Sequence, residues 1–221
     1  MPSRITRRRQ VTDEKFKQLL FLKMRPKDVE RVMEAYREAE DAHGRTSQRR
    51  DSGEMYFEHP KRVAMILMLE FEIYDPDMVI SALLHDTVED TSVFGNKDEA
   101  YEILQRKYNK RVANFVIALS KESCSDPEKK DERDMRYFEA IMSEGPLTTI
   151  LKLADKPDNL RSLECYTNER KRRYIAETRM YILPMAKSVA ERFSGRIRTN
   201  LRRVYREMVA ICEEVEAEIG L

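Results

Sequence analysis

The sequence is poor in the residues that mark several common classes of protein. It has no tryptophan and only six glycines and eight prolines among 221 residues, which excludes a collagen-like chain and argues against a glycine-rich β-sandwich. The three cysteines, Cys124, Cys165 and Cys212, lie far apart without a CxxC pair. They predict buried or half-buried thiols in a reducing cytoplasm. The basic start is followed by no apolar signal core, and no apolar run reaches the ~18 residues of a membrane span. We therefore expect a cytoplasmic protein with no membrane partner.

Charge is abundant, at 37% of the residues, beside 41% hydrophobic residues, and the two are arranged with helical periodicity. Apolar residues such as Val29 and Val32 recur at three- and four-residue steps, whereas two-residue alternation is essentially absent. This pattern predicts an all-α protein with a single compact helical domain over residues 1–221. Residues 1–11 are expected to form a flexible basic tail and residues 195–221 a C-terminal amphipathic helix. We expect that helix to pack on the domain of a monomer, with a homodimer interface as the alternative.

The charges are distributed unevenly along the chain. Between Cys165 and Arg206, twelve lysines and arginines face only three acidic residues, and from Glu207 onward there are five glutamates and no basic residue. The basic stretch could attract a polyanion such as a nucleotide or RNA. Its alternative interpretation is a set of solvated helix faces with ion pairs at i,i+4 spacing.

Two histidines and two aspartates stand at predicted helix boundaries. His59 precedes Pro60 at a helix start, His85 and Asp86 follow an apolar helix, and Asp155 ends another apolar run. Two imidazoles and two carboxylates make a mixed nitrogen and oxygen site, which suits Mn, Fe, Zn or Mg with positions left for water. Taken alone, each residue could equally be a helix-entry histidine or a surface acid.

Two further acids follow this cluster at helical spacing. Glu89 lies four residues after His85, and Asp90 lies four after Asp86. If the segment stays helical, both carboxylates project beside the candidate ligands. They could then orient or deprotonate a water molecule at the site.

Four segments carry a resemblance to a known family. They are RRDSGEMYFEHP, ISALLHDTVEDT, ILKLADKPDNLRSL and IAETRMYILPMA, within roughly residues 43–186. In order and spacing they resemble the hydrolase domain of the RelA/SpoT family, in particular its small stand-alone alarmone hydrolases. Because these are HD-type metal-dependent phosphohydrolases, the resemblance implies that fold and a (p)ppGpp 3′-pyrophosphohydrolase activity giving GDP or GTP.

The resemblance also implies roles for individual residues. The family's metal ligands, which usually bind one Mn²⁺ ion, align with His59, His85, Asp86 and Asp155. The acidic pair that positions the attacking water aligns with Glu89 and Asp90. The substrate-binding positions align with Arg50, Asn159, Ser162 and Tyr181. Of these, Arg50 is expected to pack on the guanine ring, which its planar guanidinium suits.

The chain also departs from the family pattern. Asp51 replaces a basic residue, Asp158 replaces a histidine, and Pro157 is expected to kink or end its helix and so to displace Asn159. These changes keep two alternatives open. One is an HD phosphohydrolase acting on another nucleotide, such as an adenosine alarmone or NADPH. The other is a non-catalytic HD-like regulator that binds protein or nucleic acid, with nucleic acid the less favoured partner.

Overall fold

The computed structural model describes residues 11–46, 50 and 53–220, so Asp51 and the predicted basic tail, apart from its last residue, lie outside the described part. The α-helices of the first half are α1 (Asp13–Lys23), α2 (Pro26–Thr46), α3 (Glu58–Leu69), α4 (Pro76–Leu84), α5 (Thr87–Asp90), α6 (Lys97–Lys107) and α7 (Lys110–Leu119). Those of the second half are α8 (Lys130–Glu144), α9 (Pro146–Leu160), α10 (Asn168–Glu177), α11 (Leu183–Glu191) and α12 (Gly195–Ile219). The all-α prediction is confirmed. None of the helices in the described ranges is long and apolar enough to cross a membrane.

Helix α4 lies at the centre of the fold. It begins where the Asp75 side chain accepts hydrogen bonds from the backbone of Asp77 and Met78, with Pro76 in the first turn, a favourable N-terminal arrangement. Every residue from Met78 to Leu84 is buried, because α4 packs against α2, α3, α7 and α9. The end of α4, at His85, therefore lies in the interior beside the start of α3 and the middle of α9.

Helix α9 runs through Pro157 as far as Leu160. The prediction that the helix ends at this proline is therefore wrong. Proline removes one backbone donor, but here it lies in the last turns of the helix, and its own carbonyl still accepts from the amide of Arg161 at 2.9 Å. The residues that follow, Asp158 and Asn159, are buried and accept hydrogen bonds from Arg62 of α3 and from Arg50, and these contacts hold the helical conformation.

In the C-terminal part, a π-helical turn at Thr178–Ile182 separates α10 from α11. Helix α12 then packs against α9, α10 and α11. Its apolar stripe is buried as expected and comprises Leu201, Val204, Met208, Ile211, Val215 and Ile219.

Part of the basic stretch pairs with the acidic end of the chain. Lys171 Nζ lies 2.6 Å from Glu218, and Arg179 Nη2 lies 2.6 Å from Glu216. These ion pairs join α10 and the π-turn to α12, whereas the sequence suggested pairs within one helix. The opposite charges of the two segments therefore help to dock the last helix on the domain.

All three cysteines are free thiols, as expected. Cys212 is buried and Cys124 is half-buried, but Cys165 is exposed. The prediction of burial is wrong for Cys165, because its short 3₁₀ turn at Leu163–Cys165 directs that side chain outward from the domain.

Candidate active site and metal centre

The two histidines and two aspartates predicted as metal ligands come together from four helix segments. His59 lies in the first turn of α3, His85 and Asp86 fill the junction of α4 and α5, and Asp155 lies in the middle of α9. His59 Nε2 is 3.0 Å from Asp155 Oδ1 and 3.6 Å from Asp86 Oδ2. His85 Nε2 is 3.0 Å from Asp86 Oδ1 and 3.9 Å from Asp155 Oδ1. Ligand atoms of His59, His85 and Asp86 all lie within 4.8 Å of one another.

The orientation of the two imidazoles fits a metal ion. His85 Nδ1 lies 2.8 Å from the carbonyl oxygen of Ala82, which can only accept, so Nδ1 carries the proton. In the neutral ring that a metal ion requires, Nε2 then offers a buried lone pair, and this atom has no hydrogen-bond partner among the described residues. His59 Nδ1 likewise lies 2.7 Å from Asp158 Oδ2, so the Nε2 of His59 turns toward carboxylate oxygens. Lone pairs facing anions repel unless a cation lies between them, and the donor set suits a divalent metal.

The pKa shifts of these groups also indicate a site that favours a cation. Burial alone would lower the pKa of His85, but the adjacent Asp86 carboxylate raises it to about 9. Burial would raise the pKa of Asp155, yet the neighbouring Lys152 and His59 hold it well below its ordinary value. The carboxylates thus create a field that stabilises positive charge, and a divalent cation would benefit from the same field.

Glu89 and Asp90 lie beside this cluster, although the segment is not one helix. Helix α4 ends at Leu84 and the short α5 begins at Thr87, with the amide of Asp90 bonded to the carbonyl of Asp86 at 2.8 Å. The turn still brings both carboxylates to the same cavity as Asp86. Burial raises the pKa of Glu89 and of Asp90, and the Asp86 charge raises both further. A carboxylate with a raised pKa is a stronger base than an ordinary one, which suits it to accept a proton.

The cluster forms one side of a cavity of about 750 Å³. We define its acidic wall as Asp86, Glu89, Asp90 and Asp155, and its basic wall as Lys121, Lys156, Arg170 and Arg173. Tyrosine rings lie between the walls, and the ammonium groups of Lys121 and Lys156 lie 5.3 Å from Tyr137 and 5.1 Å from Tyr174. A cavity lined by both carboxylates and cations can hold a metal ion and a polyanion together.

Two of the predicted substrate-binding residues are tied directly to the metal cluster. Arg50 Nη2 donates to Asn159 Oδ1 at 2.6 Å, and Asn159 Nδ2 donates to Asp155 Oδ1 at 2.6 Å. The expectation that Pro157 displaces Asn159 is therefore wrong. The guanidinium carbon of Arg50 lies 5.9 Å from the Tyr56 ring centre, and both Arg50 and Asn159 line the cavity.

The other two differ from each other. Tyr181 lines the cavity and stacks on Phe138 with the ring centres 4.6 Å apart. Ser162 is buried and does not line the cavity, and its hydroxyl is bonded to the carbonyls of Asn159 at 2.8 Å and Asp158 at 3.1 Å. Nine of the ten predicted residues therefore either line the cavity or belong to the metal cluster. The tenth, Ser162, forms hydrogen bonds with the end of α9.

Sequence reasoning missed several groups at the site. Lys152 Nζ donates to Asp155 Oδ2 at 2.9 Å, and its position three residues earlier on the same helix was the available signal. The Tyr56 hydroxyl lies 3.4 Å from Asp86 Oδ2; the first of the four resembling segments contains this tyrosine, but no role was predicted for it. Asp158 was noted only as a departure, although it contacts His59.

The buried helices and the two histidine–aspartate pairs define an all-helical protein with a mixed nitrogen and oxygen site for a divalent metal. The chain belongs to the HD-domain family, whose family model matches residues 35–187. That match includes the cavity walls and ends before α12.

The chain is also similar in sequence to proteins named as (p)ppGpp hydrolases. The chain is 34% identical over 163 residues to the guanosine-3′,5′-bis(diphosphate) 3′-pyrophosphohydrolase of Aquifex aeolicus, covering 73% of this chain and 22% of that protein. It is 32% identical over 176 residues to the bifunctional (p)ppGpp synthase/hydrolase SpoT of Escherichia coli K12, covering 78% of this chain and 24% of that protein. The chain thus matches less than a quarter of the length of these relatives.

A solved structure shares the fold. It is that of a metazoan orthologue of SpoT, described as hydrolysing ppGpp and acting in starvation responses. The TM-score is 0.63 at 24% identity, over 80% of this chain and 94% of that one. The similarity therefore extends over almost the whole of a ppGpp hydrolase of comparable size.

Proposed function

We propose that this chain is a metal-dependent hydrolase that removes pyrophosphate from the 3′ position of guanosine tetra- or pentaphosphate, giving GDP or GTP. The observation that carries the proposal is the clustering of His59, His85, Asp86 and Asp155 at a cavity that lysines and arginines also line. Such a cavity suits a nucleotide with several phosphates. The activities for which the two relatives above are named supply the substrate class.

The metal of this proposal is one Mn²⁺ ion. Its protein ligands would be His59 and His85 through Nε2, together with carboxylate oxygens of Asp86 and Asp155. Imidazole and carboxylate ligands suit Mn²⁺, and they leave coordination positions for water and substrate. A divalent ion in this site would supply Lewis-acid chemistry, which lowers the pKa of water and polarises a phosphoryl oxygen.

Glu89 and Asp90 would accept the proton of the attacking water. In the hydrolysis, a water oxygen bonds to the phosphorus attached to the ribose 3′ oxygen, and the bond between that phosphorus and the 3′ oxygen breaks. The water proton passes to a carboxylate, and the 3′ oxygen takes up a proton to become a hydroxyl. A carboxylate with a raised pKa suits this role, since it is a stronger base than an ordinary one.

The remaining residues of the cavity would bind the nucleotide. The basic wall would neutralise the phosphates, and arginine in particular matches phosphate oxygens with two parallel donors. Arg50 would pack on the guanine ring, with Asn159 and Tyr181 at the border of the bound nucleotide. Holding phosphorus and water together in this way converts an encounter of two molecules into an oriented reaction.

A nucleic-acid-binding regulator has less support, because Lys171 and Arg179 of the basic stretch are paired with α12. The proposed enzyme acts in the cytoplasm as a monomer or homodimer.

The proposal is tested with the purified full chain, Mn²⁺ and guanosine tetraphosphate. We expect GDP and pyrophosphate to be released in equal amounts. Asp86→Asn should remove the activity, whereas Glu216→Gln, on α12 outside the cavity, should leave it intact. A panel that includes an adenosine alarmone and NADPH runs in parallel. If the alarmone of guanosine stays intact while another nucleotide is cleaved, the substrate assignment is wrong.

A further inference from the structure

Asp158, which stands where the RelA/SpoT pattern has a histidine, is buried next to the metal cluster. Its side chain is only 2% exposed, and its carboxylate accepts from His59 Nδ1 at 2.7 Å. It also accepts from Arg62 Nε at 2.6 Å and from Arg50 Nη1 at 3.3 Å. One buried carboxylate therefore contacts a candidate metal ligand and two arginines from separate segments.

We propose that Asp158 is a positioning residue that fixes His59 for metal binding. Because a carboxylate only accepts hydrogen bonds, Asp158 requires the proton of His59 on Nδ1. The lone pair of Nε2 is then directed at the space between His59, Asp155 and Asp86, where the Nε2 atom lies 3.0 and 3.6 Å from their oxygens. A carboxylate behind a ligating histidine also increases the basicity of the ring.

Arg62 makes this arrangement possible in the interior. A buried carboxylate is unfavourable unless it is paired and hydrogen-bonded. Arg62 donates to both oxygens of Asp158, at 2.6 and 3.2 Å. It is itself only 6% exposed and also donates to Glu54 at 2.6 and 3.0 Å. Asp158 and Arg62 therefore act as a pair, and neither is expected to remain favourable without the other.

The chemistry of a carboxylate is needed for this set of contacts. A neutral imidazole offers one acceptor nitrogen, whereas a carboxylate offers two oxygens with about four lone-pair sites. Only the carboxylate can accept from His59, Arg62 and Arg50 at once. Asp158 thus couples the orientation of a metal ligand to that of Arg50 in the cavity.

The inference concerns the metal site on which the proposed function rests, but Mn²⁺ binding is measurable without any nucleotide. Metal-stripped protein is titrated with Mn²⁺, and the free ion is followed by electron paramagnetic resonance. Asp158→Asn keeps the shape and removes the charge, and it should weaken Mn²⁺ binding about 10- to 100-fold, the range typical for the partner of a ligating histidine. Arg62→Gln should weaken it less.

Glu70→Gln is the matched control. Glu70 is another buried acid, and its two oxygens accept from Arg161 at 2.8 Å. Thermal unfolding of the metal-free variants should show comparable destabilisation, while Glu70→Gln retains the wild-type Mn²⁺ affinity. Unchanged affinity in Asp158→Asn overturns the inference, as does an equal loss in Glu70→Gln.

A measurement on the wild-type protein does not depend on the variants folding. With Zn²⁺ bound, ¹⁵N resonances of the imidazoles should place the proton of His59 on Nδ1. A proton on Nε2 of His59 contradicts the proposed orientation. If the wild type binds Mn²⁺ but leaves guanosine tetraphosphate intact, the proposed substrate fails and the role of Asp158 stands.

Discussion

Two glutamates that face the same cavity differ in their ionisation. Burial raises the pKa of Glu89 on the acidic wall, and the charge of Asp86 raises it further. Burial acts on Glu177 as well, but Lys156 and Lys121 of the basic wall lower its pKa to about 2. The difference arises from the neighbours, since Glu177 has two lysines in contact range and Glu89 lies next to other acids.

The comparison shows where the cavity is short of positive charge. Two other acids of the cavity, Asp134 and Glu177, each have a lysine partner. On the acidic wall, Lys152 contacts Asp155, and no other lysine of the described residues pairs with these four carboxylates. A cation added at the acidic wall would relieve this repulsion, and a polyanion would satisfy the basic wall. This asymmetry is the physical basis of the proposed metal and substrate positions.

The largest effect is expected from removal of an acidic-wall ligand. Asp86→Ala deletes one proposed metal ligand and should abolish hydrolysis. We expect kcat to fall about 10³-fold or more, because the metal supplies several kcal/mol of transition-state stabilisation. Mn²⁺ titration and initial rates check both consequences. Near-normal Mn²⁺ affinity in this variant would show that the ion binds elsewhere.

A smaller effect is expected when the metal ligands are kept and only the proposed general base, Glu89, is replaced. Glu89→Gln should lower kcat about 10²- to 10³-fold while leaving Mn²⁺ affinity close to wild type. In the wild type, kcat should fall as the pH drops through the pKa of the acidic pair, which burial and the charge of Asp86 raise above its ordinary value. A pH–rate profile that is flat down to pH 4 would contradict this role.

On the basic wall, single charges should affect binding more than chemistry. Arg173 is exposed and lines the cavity, whereas its neighbour Arg172 donates to the carbonyl of Ile219 and does not line it. Arg173→Ala should raise KM about 10-fold with little change in kcat, as expected for loss of one charged hydrogen bond. Arg172→Ala should leave KM unchanged. Equal effects in both variants would mean that only the overall charge matters.

The last prediction tests the comparison itself through stability. The pKa of Glu177 is lower in the folded chain, so its charge stabilises the fold above the ordinary glutamate pKa, and this contribution is lost as the pH falls through about 2. Glu89 makes a contribution of the opposite sign. Because its pKa is raised in the folded chain, its charged form destabilises the fold at neutral pH. In metal-free protein at pH 7, Glu177→Gln should lower the free energy of unfolding by roughly 1–2 kcal/mol and Glu89→Gln should raise it. Denaturant unfolding of both variants measures the two changes, and the same sign in both would contradict the comparison.

The sequence predicted much of the helical fold and the metal cluster because both depend on local signals. Apolar spacing defined α4, and the His85–Asp86 pair stood at its end. Contacts between remote segments had no such signal. No local pattern indicates that Arg62 compensates for the charge of Asp158. The effect of Pro157 on its helix was overestimated, because buried tertiary contacts outweigh one lost hydrogen bond.

The central claim is that one divalent ion binds between His59, His85, Asp86 and Asp155. Crystals of the chain soaked in Mn²⁺ and measured near the manganese absorption edge test it most directly. We predict one anomalous peak within coordination distance of two imidazole Nε2 atoms and two aspartate oxygens. A peak at other residues, or four side chains that point away from a common centre, would contradict the account.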